Sequence, residues 1–454
     1  MWVPAPRPTS GPWPWRPGSS TERTDATMPF RGPPDIPTRS PPARSLPYIR
    51  RMHRQHAHPT ARRTAGLAVA AAALLVALGG PASAATSTAV STPADLPASC
   101  GVDCQAIDTV GQALVTSDGG PPGLFVLVDR SGSVSTYSFG TSEVGAQTPI
   151  TADDHLRLAS VSKAYSGAVA LALVADGTLR LSERVGQLVH DLPKAWRNVT
   201  LAELLHHTSG IPDFIRSEQF GPQLTENPYD PPSRRGLVSL AFRMKMDFTP
   251  PGSAYHYSNT DNELVALMVQ QATHHSYEHE LASLVTGPLG LAQTTLPQIE
   301  DLPAPYAHGY AVQEGERPED VTDVFSAGWS WASGGVVSTP ADVDRFIRAY
   351  ASGQLTSPSV HAQQFRFRAG SSEPPGPGTN AAGLAIFRYS TRCGTVYGHT
   401  GNTLGFTQFA ASTGDGSRSV VVQVNAQITP TGSPAAFKQL LEVQTSAVCA
   451  ALAD

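Results

Sequence analysis

The sequence is poor in lysine, in cysteine and in long hydrophobic runs, and the last two shortages each exclude a class of protein. It has only four lysines and four cysteines among 454 residues. Its longest apolar run, residues 67–78, is shorter than the roughly 20 residues that span a bilayer, so we expect no stable membrane anchor. The cysteine spacing resembles no zinc framework, and we expect neither a metal nor another cofactor. No G-x-S-x-G motif occurs, which excludes the usual α/β-hydrolase nucleophile.

The first 84 residues read as leader sequence rather than as folded protein. Residues 1–51 hold 13 of the 40 prolines and no lysine, which predicts a disordered or wrongly assigned N-terminal extension. From Met52 onward, a basic stretch, the apolar run and a small-residue cleavage site ending at Ala84 form a secretory signal. We therefore predict a signal peptide over 52–84, a linker over 85–104, one domain over 105–454 and a secreted product.

The remaining chain is acidic. Residues 1–84 hold 11 arginines, no lysine and three acidic residues, which leaves 21 basic and 34 acidic residues beyond Ala84 and a formal charge of −13. Such a charge argues against nucleic acid as a partner. An exported chain with four cysteines indicates disulfides. A bridge from Cys393 to Cys449 would contribute about 4 kcal/mol, with Cys100 and Cys104 left to close a small local loop.

The hydrophobic pattern predicts an α/β (α+β) domain. Strands are predicted at 124–129 and 134–139, as a hairpin, and again at 395–399, 404–412 and 417–426. Helices are predicted at 105–117, 161–175, 262–273 and 435–452, with short helices and loops between 178 and 320. Strands at both ends of the domain predict an antiparallel sheet flanked by helices, an inserted, mostly helical lobe and a cleft between them.

Ser160 and Lys163 are the most informative residues. They lie three apart at the start of an apolar helix and so share one of its faces. A serine is a poor nucleophile unless a base takes its proton, and a lysine can be that base when burial lowers its pKa. On an exposed helix this spacing is usually mere solvated surface, so the prediction depends on partner residues elsewhere.

Two later segments can supply those partners. Tyr257 and Asn259 lie two apart on a loop, which brings a phenol and an amide to one cleft, and a phenol beside a lysine ammonium could ionise and relay a proton. His399 and Thr400 pair an imidazole that could be cationic with a hydroxyl, a combination that can hold a carboxylate.

The residues after Thr400 predict an oxyanion site. Gly401 permits close approach of the backbone to a ligand. The backbone N–H of Asn402 could then form an oxyanion hole with that of Ser160.

In this order, the three segments resemble the serine penicillin-recognising enzymes: penicillin-binding proteins, class C β-lactamases and related esterases. The shared pattern is S-x-x-K, then Y-x-N, then K- or H-[T/S]-G, and segments 204–212, 251–260 and 333–340 match as well. The resemblance covers about 105–452 and implies a β-lactamase/transpeptidase-like fold. It is strongest to the secreted D-alanyl-D-alanine carboxypeptidases that carry His-Thr-Gly, including the Cys393–Cys449 pairing.

The resemblance also implies roles for individual residues. Ser160 would be the acylated nucleophile, with Lys163 and Tyr257 handling its proton. The implied substrate-binding residues are Asn259, His399, Thr400, Gly401, Asn402, Trp329, Phe214 and Arg388. The implied partners are a peptidoglycan stem peptide or a small ester or amide, and β-lactams, bound by a monomer.

The sequence departs from the carboxypeptidases in two places. Arg388 alone stands where they carry an arginine run for the substrate carboxylate, and Asn402 replaces a threonine. An esterase or β-lactamase on the same scaffold is therefore an alternative. A non-catalytic sensor of cell-wall peptides or β-lactams is an alternative of another class.

Three further histidines are interpreted as outside the chemistry, His207 as structural and His275 and His279 as part of an exposed helix face. His207 follows a predicted helix whose end needs a capping glycine, and Gly210 lies close by. His275 and His279 lie four apart, but we expect no carboxylate to complete a metal site with them.

Overall fold

The computed structural model describes residues 101–298, 302–371 and 373–453, with the backbone alone for 101–105. The predicted extension, the signal peptide, most of the linker and the predicted Cys100–Cys104 bridge lie outside the described residues and side chains. Within the described ranges, no helix combines the length and the hydropathy that crossing a membrane requires.

The described residues form eleven strands and thirteen α-helices. The strands are β1 (Gly123–Arg130), β2 (Ser133–Gly140), β3 (Leu156–Arg157), β4 (Tyr310–Ala311), β5 (Glu319–Asp320), β6 (Val337–Ser338), β7 (Thr379–Ala382), β8 (Phe387–Thr391), β9 (Gly394–Thr403), β10 (Phe406–Ser412) and β11 (Arg418–Val424). The α-helices are α1 (Gly101–Thr116), α2 (Ser162–Ala175), α3 (Val185–Leu188), α4 (Leu201–Leu205), α5 (Phe220–Glu226), α6 (Arg234–Ser239), α7 (Asn259–Thr273), α8 (Tyr277–Leu281), α9 (Gly287–Leu289), α10 (Trp331–Gly334), α11 (Pro340–Ala351), α12 (Pro358–Gln364) and α13 (Pro434–Leu452).

The main sheet is antiparallel and is built from both ends of the domain, as predicted. Its strand order is β2-β1-β11-β10-β9-β8-β7. β1 and β2 form a hairpin whose two-residue turn, Ser131 and Gly132, has positive φ at both positions, as a type I′ turn requires. β1 also pairs with β11, in the register Val126 to Val422, so the first and last strands of the domain pair inside the sheet, next to its β2 edge.

Both faces of this sheet are covered, which explains why β1 reads as a continuous apolar run. Leu124 and Val126 pack in one hydrophobic cluster with residues of α1 and α13. Phe125 and Leu127 point the other way, into a larger cluster with α2, α11 and the helical lobe between 178 and 320. The nucleophile predicted at the start of α2 therefore lies on the side of the sheet that faces the helical lobe.

The disulfide between Cys393 and Cys449 is present, as predicted. Cys393 lies in the turn between β8 and β9, and Cys449 lies in α13, with their Cα atoms 5.1 Å apart and a sequence separation of 56. A closed loop of that length contributes about 4 kcal/mol by the chain-entropy estimate.

Two strands of the main sheet, and the four two-residue strands outside it, were not predicted. β7 and β8 lie at one edge of the sheet and mix polar residues such as Asn380 and Ser390 with apolar ones. Such short edge strands have little hydrophobic alternation of their own, because neighbouring strands decide which positions are buried. Ser160 was expected in the first turn of the helix, but it lies in a 3₁₀ turn (Ala159–Val161) that leads into α2.

Candidate active site

Ser160 is fixed by a tight turn pressed against strand β9. Ala159 before it has a φ of 49°, an uncommon conformation for a residue with a side chain. A Cβ on Gly401 would lie 2.3 Å from the carbonyl oxygen of Leu158 and 3.2 Å from the amide nitrogen of Ser160. Glycine at 401 therefore lets β9 touch the turn that carries Ser160, which is itself half-buried.

Lys163 is fully buried and contacts Ser160 directly. Its Nζ lies 3.0 Å from Ser160 Oγ and donates to Asn259 Oδ1 and to the Ser333 carbonyl, each at 2.7 Å. Burial lowers the pKa of Lys163 to about 7, and the carboxyls of Asp213, Glu263 and Asp261 oppose that shift. A large fraction of the lysine is therefore a neutral amine near pH 7, the form that can take the serine proton.

Tyr257 completes the group around Lys163. The Nζ atom lies 4.9 Å from the centroid of the Tyr257 ring. The Tyr257 hydroxyl is buried and makes no hydrogen bond of normal geometry to a described residue. Burial raises the pKa of Tyr257 well above its ordinary value, and the adjacent Ser160 side chain only partly opposes this. The expectation that the phenol ionises beside the ammonium is therefore wrong for the resting site, where Lys163 is the better base.

His207 supports Tyr257 from behind. The two rings lie 4.5 Å apart, and His207 Nδ1 is 3.0 Å from Asp261 Oδ2, whose other oxygen accepts from Ser209 Oγ at 2.6 Å. Burial lowers the pKa of His207 and raises the pKa of Asp261. The expected glycine cap was also wrong, because His207 itself takes the left-handed conformation after α4, with a φ of 53°.

Asn259 is held at both ends of its amide. Its Oδ1 accepts from Lys163, and its Nδ2 donates to Asp213 Oδ2 at 2.8 Å. Asp213 in turn begins the 3₁₀ turn Phe214–Arg216, where its Oδ1 accepts from the Ile215 N–H. One Nδ2 hydrogen of Asn259 remains for a substrate. Sequence reasoning missed Asp213, although it directly follows the matching segment 204–212.

The C-terminal half of β9 pairs with β10 on one side but not with β8 on the other. β8 pairs with β9 only as far as Gly398, whereas β10 pairs with it up to Thr403. Because the two-residue turn after Thr403 closes on a hydrogen-bonded pair, alternation directs the amides of Thr400 and Asn402 toward the unpaired edge. A ligand lying along this edge can receive both, which fits the predicted oxyanion role of the Asn402 N–H.

The side chain of Asn402 has a different task. Its Nδ2 donates to Thr407 Oγ1 at 3.1 Å and to the Ile428 carbonyl at 2.7 Å, and its Oδ1 accepts from Gln427 Nε2. The side chain therefore holds the end of β9 in place, while the backbone N–H of Asn402 points toward the unpaired edge of β9.

His399 is buried and neutral. Its Nδ1 hydrogen-bonds the carbonyl oxygen of Thr400, and its Nε2 has no partner among the described residues. Burial and the nearby Lys163 lower the pKa of His399 to about 3. The cationic imidazole expected for carboxylate binding is therefore wrong, because this shift favours the neutral imidazole. The Thr400 Oγ1 is likewise buried and makes no hydrogen bond of normal geometry to a described residue.

The structure does not bring Arg388 to Ser160. Arg388 lies opposite Tyr397, and its guanidinium lies 5.2 Å from the centroid of the Phe367 ring. Tyr397 is four residues before Gly401 on β9, a distance of about 13 Å at the rise of a β-strand. The sequence analysis implied a contact between Arg388 and a substrate carboxylate, and this position of Arg388 contradicts it.

Trp329 and Phe214 form part of the wall of the helical lobe. Phe220 lies between them, with ring centroids 5.6 Å from Phe214 and 5.7 Å from Trp329. Both outer rings are 1% exposed, and the Trp329 indole donates to the Asn227 carbonyl. Their contact with substrate stays a prediction, and Phe220 is the more exposed ring of the three.

Within the described ranges, one group of side chains could hold a metal ion, and it does not include Ser160. The ligand atoms of His275, His279 and Glu280 all lie within 4.8 Å of one another. The expectation that no carboxylate joins the two histidines was therefore wrong. The buried Glu280 already accepts from His275 Nδ1 at 2.7 Å, so an ion would have to displace that hydrogen bond.

Comparisons with known proteins agree with the fold. The Beta-lactamase family model matches residues 106–445, so the chain belongs to the beta-lactamase family. The superfamily that contains β-lactamases and penicillin-binding proteins therefore includes this chain, which has the β-lactamase/transpeptidase fold.

Individual relatives match part or all of this domain. Penicillin-binding protein 4 of Amycolatopsis lactamdurans is 31% identical over 240 residues, which are 50% of this chain and 59% of that protein. Protein flp of Staphylococcus aureus is 25% identical over 232 residues, 50% of this chain and 45% of that protein. The chain thus spans about half the length of these curated relatives. The crystal structure of a D-stereospecific amidohydrolase from a Streptomyces species has a TM-score of 0.65 and 26% identity, and it covers 75% of this chain and 98% of its own.

Proposed function

We propose that this protein forms an acyl-enzyme on Ser160 and acts as a D-alanyl-D-alanine carboxypeptidase on cell-wall peptides, with penicillin as an acylating inhibitor. The contact of 3.0 Å between Ser160 Oγ and the buried Lys163 Nζ carries the proposal. The names of two relatives, a penicillin-binding protein and a D-stereospecific amidohydrolase, support a D-configured amide as the substrate.

The geometry supports a two-step acyl transfer. Lys163, as the neutral amine, takes the proton of Ser160 while Oγ bonds to the substrate carbonyl carbon, and the Ser160 and Asn402 amides bind the oxyanion. The leaving amine departs with that proton, which it receives directly or through the neutral Tyr257 hydroxyl. A water molecule then attacks the ester, Lys163 takes its proton, and the proton returns to Ser160 Oγ as the acid product leaves.

Binding of the terminal carboxylate falls to Thr400 and His399. Both offer a buried polar atom without a partner among the described residues, Thr400 Oγ1 and His399 Nε2. A bound carboxylate would favour protonation of His399, because an opposite charge stabilises the imidazolium. A carboxypeptidase substrate would then take up a proton as it binds.

A second candidate is an amidase or esterase that releases an uncharged leaving group from a D-configured acyl group. The neutral state of His399 and the position of Arg388 favour it, because neither provides a standing cation for a carboxylate. A β-lactamase on the same scaffold belongs to this group of alternatives.

The natural setting follows from the proposed substrate. Stem peptides of peptidoglycan lie outside the cytoplasm, which fits the signal peptide proposed for 52–84. We propose that the product is secreted and acts as a monomer.

A panel of four substrates tests the function. The protein is incubated with fluorescent penicillin, a D-Ala-D-Ala peptide, a chromogenic cephalosporin and a p-nitrophenyl ester, with Ser160→Ala as the control. Free D-alanine with slow penicillin labelling supports the carboxypeptidase, whereas ester cleavage without D-alanine supports the second candidate and rapid cephalosporin cleavage a β-lactamase. Stable labelling without turnover would instead show a sensor.

A further inference from the structure

Glu263 is a second buried ionisable group beside Lys163, and the mechanism above does not use it. It lies in α7 and is fully buried. Its Oε1 accepts the backbone N–H of Ser333 at 3.0 Å, while its Oε2 is buried without a hydrogen-bond partner among the described residues. Burial of a carboxyl with one unpaired oxygen is costly, so the fold gives up stability at this position.

Ser333 connects Glu263 to the lysine. It lies in the short helix α10, and its carbonyl accepts from Lys163 Nζ at 2.7 Å while its N–H donates to Glu263. Helix starts leave amides without intrahelical partners. Ser330, which begins α10, makes no side-chain cap, so Glu263 satisfies one of these amides from a neighbouring helix. The carboxyl thereby holds residue 333, whose carbonyl, in the next peptide group, accepts from Lys163.

We propose that Glu263 is a positioning residue for acylation: it holds the Ser333 carbonyl against Lys163, and its charge sets how readily Lys163 releases its proton. The inference rests on the proposed roles of Ser160 and Lys163.

Other charged or titratable groups face Lys163 from each element packed around it: Asp213, Asp261, His207, Tyr257 and His399. Both oxygens of Asp213 and of Asp261 are hydrogen-bonded. Glu263 differs, because it keeps an unpaired oxygen, and the Tyr277 side chain is a further titratable group near it.

The electrostatics agree with the geometry. Burial raises the pKa of Glu263 to about 7, and Lys163 opposes this shift, just as Glu263 opposes the lowering of the Lys163 pKa. An ionised Glu263 therefore favours the ammonium form of Lys163, and a neutral Glu263 favours the amine. Removal of the charge should make Lys163 a neutral base at lower pH.

The test measures Lys163 directly. The full-length protein is labelled with ¹³C-lysine, and the Cε signals are followed from pH 5 to 11. The other lysines, Lys194, Lys245 and Lys438, are exposed, so the one signal that titrates near neutrality belongs to Lys163. Glu263→Gln keeps an oxygen for the Ser333 N–H but removes the charge. Glu278→Gln is the matched control, because Glu278 accepts from Trp331 in the same helix α10 without facing Lys163.

We expect Glu263→Gln to lower the proton affinity of Lys163 about tenfold, a downward shift of about one pH unit, and to move the acidic limb of kcat/KM for a p-nitrophenyl ester by the same amount. Glu278→Gln should move neither. An unchanged Lys163 titration in Glu263→Gln would overturn the inference.

A reciprocal variant guards against failure to fold. With ¹³C-glutamate in the wild type and in Lys163→Met, the carboxyl that titrates near neutrality should move to higher pH when the lysine is lost, and an unmoved carboxyl also overturns the inference. If no substrate is hydrolysed, the proposed function fails, while the two titrations still decide the role of Glu263.

Discussion

Gly401 on strand β9 lies so close to Leu158 that a methyl group at 401 would meet the Leu158 carbonyl oxygen at 2.3 Å. The contact locks the strand that carries His399 and Thr400 against the turn that carries Ser160. Two segments far apart in the sequence thereby become one site.

Substitution of that glycine should damage catalysis more than folding. In Gly401→Ala the new methyl pushes the Ser160 amide, 3.2 Å away, out of place, and we expect kcat/KM to fall at least about tenfold, since small displacements of reacting groups are costly. Gly414→Ala is the control, because its new methyl would meet nothing closer than 3.4 Å. Equal activity of the two variants, measured with a p-nitrophenyl ester, would contradict the contact.

The acylation rate should rise with pH through about 7. Lys163 can accept the Ser160 proton only as the amine, which is depleted below its pKa of about 7 and predominates above it. The second-order rate of acylation by penicillin, followed from pH 5.5 to 9, checks this. A rate that still rises steeply at pH 9 would show an ordinary lysine and would contradict the burial effect.

Removal of the lysine should cost about 10²–10⁴-fold in acylation rate, the usual contribution of a positioned base. Lys163→Ala is compared with Lys194→Ala, which removes an exposed lysine and should leave the rate unchanged. Comparable rates for Lys163→Ala and the wild type would require a different base.

Recognition of a substrate carboxylate should depend on Thr400 and not on Arg388. Arg388→Ala should leave KM for a D-Ala-D-Ala peptide within about twofold, because its guanidinium lies over Phe367. Thr400→Val should raise KM about 10–100-fold, as expected for loss of a hydrogen bond to a charged group. A large effect of Arg388→Ala would restore the role that sequence analysis gave it.

The disulfide should stabilise the fold without taking part in catalysis. The Cys393→Ala/Cys449→Ala variant should lose about 4 kcal/mol in free energy of unfolding in urea, because the bridge restricts the unfolded chain. Penicillin labelling of the folded variant should persist, since α13 packs on the face of the sheet opposite α2. A loss below about 1 kcal/mol would contradict the estimate.

Much of the fold could be predicted, and so could the group of Ser160, Lys163 and Tyr257, because the sequence signals are local or follow a fixed order along the chain. Ser160 and Lys163 meet through helical spacing, and the hairpin of β1 and β2 follows from its turn residues. The buried acids could not be predicted, because Asp213, Asp261 and Glu263 look like solvated residues until the tertiary packing closes over them. The position of Arg388 depended on the register of β8 against β9, which the sequence of a short strand near the sheet edge does not reveal.

The account depends most directly on Ser160 as the acylated nucleophile. Intact-protein mass spectrometry after incubation with benzylpenicillin, followed by peptide mapping, measures this. We predict one penicilloyl adduct, located on the peptide that contains Ser160 and absent in Ser160→Ala. An adduct that persists in Ser160→Ala, or that maps to another peptide, would contradict the account.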